Sequence, residues 1–281
     1  MTIPPAAAET LWTIGSFPIT NALLNAWAAV AFFVIVAGLI KIGVRWGVFP
    51  RFVRFAEAVV EWLLSETQKV TGDRERAVRF LPIAGGAFLL ILFSNWLGQL
   101  PGTGTVGVWR AGELIPLLRP ATSDVNFTLA LAIGAVVASH AYGLAALGFV
   151  EHASKFVNVR GVWRAIRHGP MAILVALVEL AIGFIEIVSE LAKVLSLCLR
   201  LFGNVFAGEV LMAVILGLFA YAVPLPFIAL ELLVGAVQAT VFAMLTLSYL
   251  TVATDKREHE EEERDVEEAE GLAIPAQPAR A

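Results

Sequence analysis

The sequence has few of the residues on which soluble enzymes and metalloproteins depend. One cysteine, Cys198, excludes an internal disulfide and a cysteine metal cluster. The four histidines are scattered without metal-ligand spacing, and neither a phosphate-binding loop nor a dinucleotide fingerprint is present. The N-terminus lacks the basic region of a cleaved signal peptide. We therefore expect no soluble catalytic domain and no cofactor. Nucleic acid is not among the expected partners.

Charge is also scarce, and long apolar runs take its place. Only 16% of the residues are charged and 58% are hydrophobic, whereas soluble domains have about 25% charged residues. Apolar runs of about 20 residues recur, which predicts an all-α polytopic membrane protein with one transmembrane domain over residues 19–253. Five spans are expected at about residues 19–44, 81–100, 126–150, 171–223 and 227–252.

The fourth of these spans is too long for a simple crossing. About 45 residues of helix between 171 and 223 would measure ~68 Å, whereas the apolar core of a bilayer is ~30 Å thick. The stretch is therefore either two spans or one strongly tilted helix. A single helix returns the C-terminus to the cytoplasm, with Lys256 and Arg257, so we favour five spans with two long, tilted C-terminal helices.

The segments outside the spans follow the distribution of charge. Residues 1–18 form an external N-terminal segment, and bases after the first and third spans mark the cytoplasmic side. Residues 52–71 mix apolar and acidic positions in the pattern of an amphipathic interfacial helix. Residues 254–281 form an acidic cytoplasmic tail that is expected to be disordered, since Asp255–Glu270 holds ten acids.

Arg200 lies inside an otherwise apolar run. Arginine at the bilayer centre costs roughly 2.5–3.5 kcal/mol. Its helical neighbours at three and four residues are Ser196, Leu197, Gly203 and Asn204, none of which is acidic. The partner of this cation is therefore expected elsewhere, on another helix or another chain.

Other polar side chains of the last two spans fall into stripes. At about 100° per residue, six of them lie within about 60° of Arg200: Glu179, Glu186, Ser189, Lys193, Ser196 and Asn204. Glu209 points to roughly the opposite face, and Glu231, Gln238 and Tyr249 form a stripe on the last span. Carboxylates, hydroxyls and amides at membrane depth are what a proton path needs. The stripes indicate two half-paths with Arg200 between them.

Short motifs carry a resemblance to a known family. Arg200–Asn204 (RLFGN), followed by Ala207–Glu209 (AGE), resembles the signature of subunit a of F-type ATP synthase. Ser94–Gly98 (SNWLG), before Pro101 and Gly102, resembles the end of that family's second span. Thr122–Thr128 (TSDVNFT) resembles the start of its next span. The motifs occur in the expected order over roughly residues 10–253.

The resemblance implies a stator subunit of the membrane sector of ATP synthase, without a catalytic site of its own. Protons, or Na⁺, would pass through two half-channels to and from carboxylates of a rotating c-ring, with Arg200 facing those carboxylates. The implied partners are the c-ring, peripheral-stalk b subunits and the lipid bilayer, in a bacterial inner membrane, and no other small-molecule substrate. The implied sites are Arg200, Asn204, Glu209, Glu231 and Gln238 for translocation, Glu186, Ser189 and Ser196 for the inner half-channel, and Asp124 and Asn95 as outer-path or structural residues.

One position departs from the pattern of some members of the family. Those members have one Glu and one His where this sequence has Glu209 and Glu231. Two nearby carboxylates repel each other, so one of them is expected to hold a proton. Lys193 is expected to be structural, paired with Glu186, Glu190 or a neighbouring helix.

Two other functions are compatible with the residues alone. A secondary transporter could use Arg200 as its anion site, although the sequence has no internal repeat of the kind that such folds show. A purely structural membrane scaffold would need none of the polar stripes for conduction.

Overall fold

The computed structural model describes residues 5, 7–100, 103, 106–110, 113–149, 170–219 and 223–255. The predicted acidic tail lies outside these residues except for Thr254 and Asp255, and so do the bases that follow the third span. Within the described residues, the chain forms long helices and two short hairpins.

The helices confirm the predicted class of fold. Five are long and apolar enough to cross a membrane: α1 (Asn21–Trp46), α3 (Arg74–Gln99), α4 (Val125–Leu147), α5 (Pro170–Leu218) and α6 (Pro224–Thr254). The sixth, α2 (Pro50–Thr71), is the amphipathic helix. Helix α5 is continuous over 49 residues, which agrees with one long helix rather than two spans. At 1.5 Å per residue it measures ~74 Å.

Two antiparallel hairpins were not expected. One joins β1 (Thr10–Ile14) to β2 (Phe17–Thr20), and the other joins β3 (Gly107–Arg110) to β4 (Glu113–Pro116). The first turns at Gly15, whose φ of 64° favours glycine. β-Branched and aromatic residues on both sides of that turn carry the signal for a hairpin.

Local signals fix where α2 ends and α3 begins. Gly72 ends α2 with a φ of 70°, and its N–H donates to the carbonyl of Gln68. Asp73 then caps α3 by accepting from the N–H of Arg76 at 3.1 Å. This backbone hydrogen bond holds the pKa of Asp73 below its usual value. The cap therefore supports α3 above the ordinary aspartate pKa and weakens as the pH falls toward the lowered one.

The chain divides into two compact units. One comprises Met1–Ala135 with Leu195–Ser248, and the other comprises Val136–Val194 with Tyr249–Ala281. In the first unit, α3 packs against α1 and α2. Its buried side chains include polar ones, among them Asn25, Ser94 and Thr122, which are fully covered.

A close approach in the first unit depends on a glycine. A Cβ on Gly98, near the end of α3, would overlap the ring of Pro120. The Gly98→Ala variant should therefore displace the segment that begins α4 and lower stability by about 1–3 kcal/mol, the usual cost of overpacking. Thermal melting of the purified complex measures this effect.

Gly86→Ala is the matched control, because Gly86 lies on the same helix with open space at its Cβ position. Equal melting temperatures for the two variants would contradict the close packing of Gly98 on Pro120.

Candidate functional site

Arg200 lies on an exposed face of α5. Its neighbours Leu197, Cys198 and Leu201 are each 2% exposed or less and turn the other face of α5 inward. There the sulfur of Cys198 lies 3.4 Å from the hydroxyl of Thr128. Arg200 is exposed, and it makes no hydrogen bond or ion pair with any residue that the structure describes. An exposed side chain on a spanning helix is open to lipid or to a partner, so this guanidinium is available to another molecule.

Asn204 lies one helical turn after Arg200 and joins α5 to α6. Its amide nitrogen donates to the side-chain oxygen of Gln238 at 2.7 Å. Gln238 is 4% exposed, whereas Asn204 is exposed. Two predicted site residues from different helices are thus brought together next to the outward-facing arginine.

Glu209 has a partner that the sequence analysis missed. Arg119 donates from Nε and Nη2 to its carboxylate, at 2.6 Å for the shortest contact. The side chains of Arg119 and Glu209 are 5% and 11% exposed. Arg119 also donates to the backbone carbonyls of Pro5 and Ala7. The pair is therefore a buried, charge-assisted contact among α5, the segment before α4 and the N-terminal segment.

Glu231 is buried on α6 without such a partner. It is 7% exposed, and its carboxylate makes no hydrogen bond or ion pair with the residues that the structure describes. The carboxylate lies directly against Gly208, where an added Cβ would overlap it. The two predicted outer-path carboxylates are thus neighbours, but of the two only Glu209 has an ion-pair partner among the described residues.

A buried polar network supports this part of the first unit. The side-chain amide of Asn25 donates to the carbonyls of Ser94 and Arg119, at 3.2 and 2.8 Å. The hydroxyl of Ser94 accepts from the N–H of Ala121. The network fixes the backbone on both sides of Pro120, and therefore the base of the Arg119 side chain.

Asn95 and Asp124 differ in what they contact. The hydroxyl of Thr122 donates to the side-chain oxygen of Asn95, while the amide nitrogen of Asn95 is buried without a partner in the described residues. Asp124 accepts from the N–H and side chain of Asn126 at 2.9 and 3.1 Å. That arrangement is a cap at the start of α4 and gives Asp124 a structural contact.

The second unit holds the remaining predicted residues except Ser196. Glu186 and Ser189 are half-buried on α5. Lys193 pairs with Glu190 at 2.7 Å, one of the three partners expected for it. His140 of α4 lies 3.4 Å from the same carboxylate. Ser196 belongs to the first unit and is exposed, and the side chain of Glu179 lies outside the described part.

The sequence did carry a signal for Arg119, although a weak one. Arg119 is one of two bases between the second and third predicted spans, and it stands beside Pro120 at the edge of the TSDVNFT motif. A basic residue next to a motif, in a loop with few other bases, is a reasonable candidate for a functional residue. Its partner could not have been named, because Glu209 lies 90 residues away in sequence.

The fold and the site define a multi-pass membrane protein with ionisable groups on its long apolar helices, among them Arg200, which is exposed and has no ion pair with any residue that the structure describes. Comparison with known proteins narrows this class. The family model described as ATP synthase A chain matches residues 22–251, and the chain belongs to this family, the subunit a of ATP synthase.

Curated relatives in bacteria agree with the family. The chain is 37% identical over 207 residues to ATP synthase subunit a of Mycobacterium ulcerans (strain Agy99), covering 73% of this chain and 74% of the relative. It is 33% identical over 199 residues to ATP synthase subunit a of Campylobacter jejuni subsp. doylei, covering 71% and 75%. The chain is therefore a component of the membrane sector of ATP synthase.

Proposed function

We propose that this chain is the stator that carries protons to and from a rotating c-ring. Protons pass through two offset half-channels, and Arg200 stands between them. The ring's carboxylate pairs with Arg200 as it passes. The chain has no catalytic site of its own, since the ATP chemistry belongs to other subunits of the complex.

The observation that carries this proposal is the environment of Arg200. A cation at membrane depth costs roughly 2.5–3.5 kcal/mol when it is not compensated. Arg200 is exposed and has no anionic partner among the described residues, whereas Arg119 and Lys193 each have a glutamate. An anion supplied by a second chain is the compensation that this geometry leaves open.

The outer half-channel is proposed from the residues of the first unit. Asn204 and Gln238 form a polar bridge next to Arg200. Gln238 lies two helical turns after Glu231 on the same face of α6. A path from Glu231 toward Gln238 and Asn204 therefore leads to the neighbourhood of Arg200, with Glu209 beside its start.

The inner half-channel and the topology stay predictions from sequence. Glu186, Ser189 and Ser196 share the helical face of Arg200 by spacing. Positive residues after the first and third spans place the N-terminus outside and the C-terminus in the cytoplasm of a bacterium. Peripheral-stalk b subunits are proposed as further partners from the family alone.

Ion flow through the complete membrane sector tests the proposed function. The sector, purified with its ring and reconstituted in liposomes, should take up protons when a K⁺ diffusion potential is applied, as reported by a pH-sensitive dye. The chain alone should conduct nothing, because the carrier carboxylate lies on the ring.

Uptake of labelled Na⁺ instead of protons would identify the other ion. A complete sector that conducts neither ion would contradict the proposed function. Binding of an anionic solute by the isolated chain, lost in Arg200→Gln, would favour a transporter.

A further inference from the structure

We propose that Arg119 is a fixed cation that holds Glu209 in a permanent ion pair, so that Glu231 alone exchanges protons on the outer path. Arg119 is thus a positioning residue, and the two carboxylates have different roles. This inference rests on the proposed function, since it divides one half-channel between a structural pair and a carrier.

The ion pair occupies the carboxylate of Glu209. The Nε of Arg119 lies 3.1 and 2.9 Å from the two carboxylate oxygens, and Nη2 lies 2.6 Å from one of them. Charge-assisted contacts of this kind are roughly twice as strong as neutral hydrogen bonds. A proton that arrives at Glu209 would have to displace one of these N–H donors, in a place where few waters could replace it.

Arg119 itself is held from several directions. Its Nη2 and Nη1 donate to the carbonyls of Pro5 and Ala7 at 3.0 and 3.3 Å. Its own carbonyl accepts from the buried amide of Asn25 at 2.8 Å. Both the backbone and the guanidinium of Arg119 are therefore fixed, so it cannot follow a moving charge and is suited to hold one in place.

Glu231 has the opposite environment. It is buried against Gly208, and no described residue donates to its carboxylate, so its oxygens are free to accept a proton. The charged group beside it is Glu209, whose charge is neutralised by Arg119. Glu9 lies near Glu209, and its carboxylate accepts from the side chain of Asn21 at 3.2 Å. Glu231 is thus the carboxyl in this group without a committed partner.

If Arg119 serves to neutralise Glu209, removing the arginine charge alone should reduce proton conduction more than removing both charges together. Arg119→Gln leaves Glu209 buried without its cation, and proton conduction should fall by at least about tenfold, because breaking one side of a buried pair is the damaging change. The double variant Arg119→Gln with Glu209→Gln removes both charges and keeps two amides that can bond to each other. It should conduct at least about threefold better than Arg119→Gln alone, as expected for coupled positions.

Further variants separate this role from a purely steric one. Arg119→Lys keeps the cation and should conduct better than Arg119→Gln. Glu231→Gln should lose conduction in the wild-type background and in the double variant alike. The measurement is potential-driven proton uptake by the whole complex in liposomes, divided by the amount of assembled complex.

The inference is overturned if the double variant is as inactive as the worse single variant, or fails to assemble, while the wild type conducts. It is also overturned if Glu231→Gln conducts normally. A wild-type complex that does not conduct overturns the proposed function and this inference together, so the two failures are distinguishable.

Discussion

Arg200→Gln is expected to reduce ATP-driven proton pumping strongly in an otherwise assembled complex, whereas Lys193→Gln should retain most of it. The two cations lie on the same helix, two turns apart and on nearly the same face. Lys193 has Glu190 at 2.7 Å and the ring of Tyr249 at 5.4 Å. Arg200 has no such partner among the described residues, so its guanidinium is available to pair with an anion on another molecule.

The size of the effect follows from what the charge is proposed to do. A cation between two half-channels attracts the ring's carboxylate and repels hydronium, and glutamine does neither. We expect pumping to fall by about 100-fold or more, because a single close charge pair in a low-dielectric setting is worth several kcal/mol. Arg200→Lys should fall in between, since an ammonium keeps the charge but lacks the planar fork of donors.

Inverted membrane vesicles provide the measurement. ATP-dependent quenching of a pH-sensitive dye reports pumping, and the amount of co-purified ring reports assembly. Normal pumping by Arg200→Gln would contradict the stator mechanism. A loss of pumping in Lys193→Gln equal to that in Arg200→Gln would mean that any cation on this face of α5 is needed, rather than the unpaired one.

Much of the fold was predictable because the membrane imposes simple rules on the sequence. Spanning helices need about 20 apolar residues, and the hydropathy of the chain therefore located all five. The absence of proline between residues 171 and 223 favoured a single long helix, and α5 is continuous. The observed helix ends differ from the predicted ends by several residues. Helix α3, for example, begins at Arg74 rather than near residue 81, because Asp73 caps it.

The candidate site was predictable only where it depended on one helix. The spacing within α5 separated Arg200 from Glu209, and the structure exposes the first and largely buries the second. Contacts between distant segments were beyond such reasoning. The partner of Glu209 lies 90 residues away, and nothing in local periodicity connects them. The repulsion expected between Glu209 and Glu231 thus overlooked a third charge, that of Arg119.

Arg119 and Arg200, both in the first unit, have opposite environments. Arg119 is buried, bonded to a carboxylate and to two backbone carbonyls, and its charge is neutralised within the chain. Arg200 projects from a helix whose other face is packed. Arg119 is therefore held within this subunit, whereas Arg200 has no ion-pair partner among the described residues, as the proposed pairing with a ring carboxylate requires.

The contact between Gly208 and Glu231 leads to the second large effect. A Cβ on residue 208 would overlap the carboxylate of Glu231, so Gly208→Ala must push this side chain aside or separate α5 from α6. Proton conduction should fall by about tenfold or more, because overpacking of this kind costs about 1–3 kcal/mol and is concentrated on the proposed carrier.

A second substitution should restore part of the loss. Glu231→Asp shortens the side chain by one methylene and withdraws the carboxylate from the space that the new methyl group needs. The double variant Gly208→Ala with Glu231→Asp should therefore conduct better than Gly208→Ala alone. Gly134→Ala is the control, because Gly134 lies on α4 with open space at its Cβ position, and it should conduct like the wild type.

Proton uptake by the reconstituted complex, normalised to assembly, again provides the measurement. If Gly208→Ala conducts normally, proton conduction does not depend on the position of the Glu231 carboxylate against Gly208 of α5. If the double variant is no better than Gly208→Ala, the loss comes from helix separation rather than from displacement of the carboxylate. Recovery by the shorter acid would instead tie conduction to the position of one carboxyl group, since the added methyl group is still present in the recovered variant.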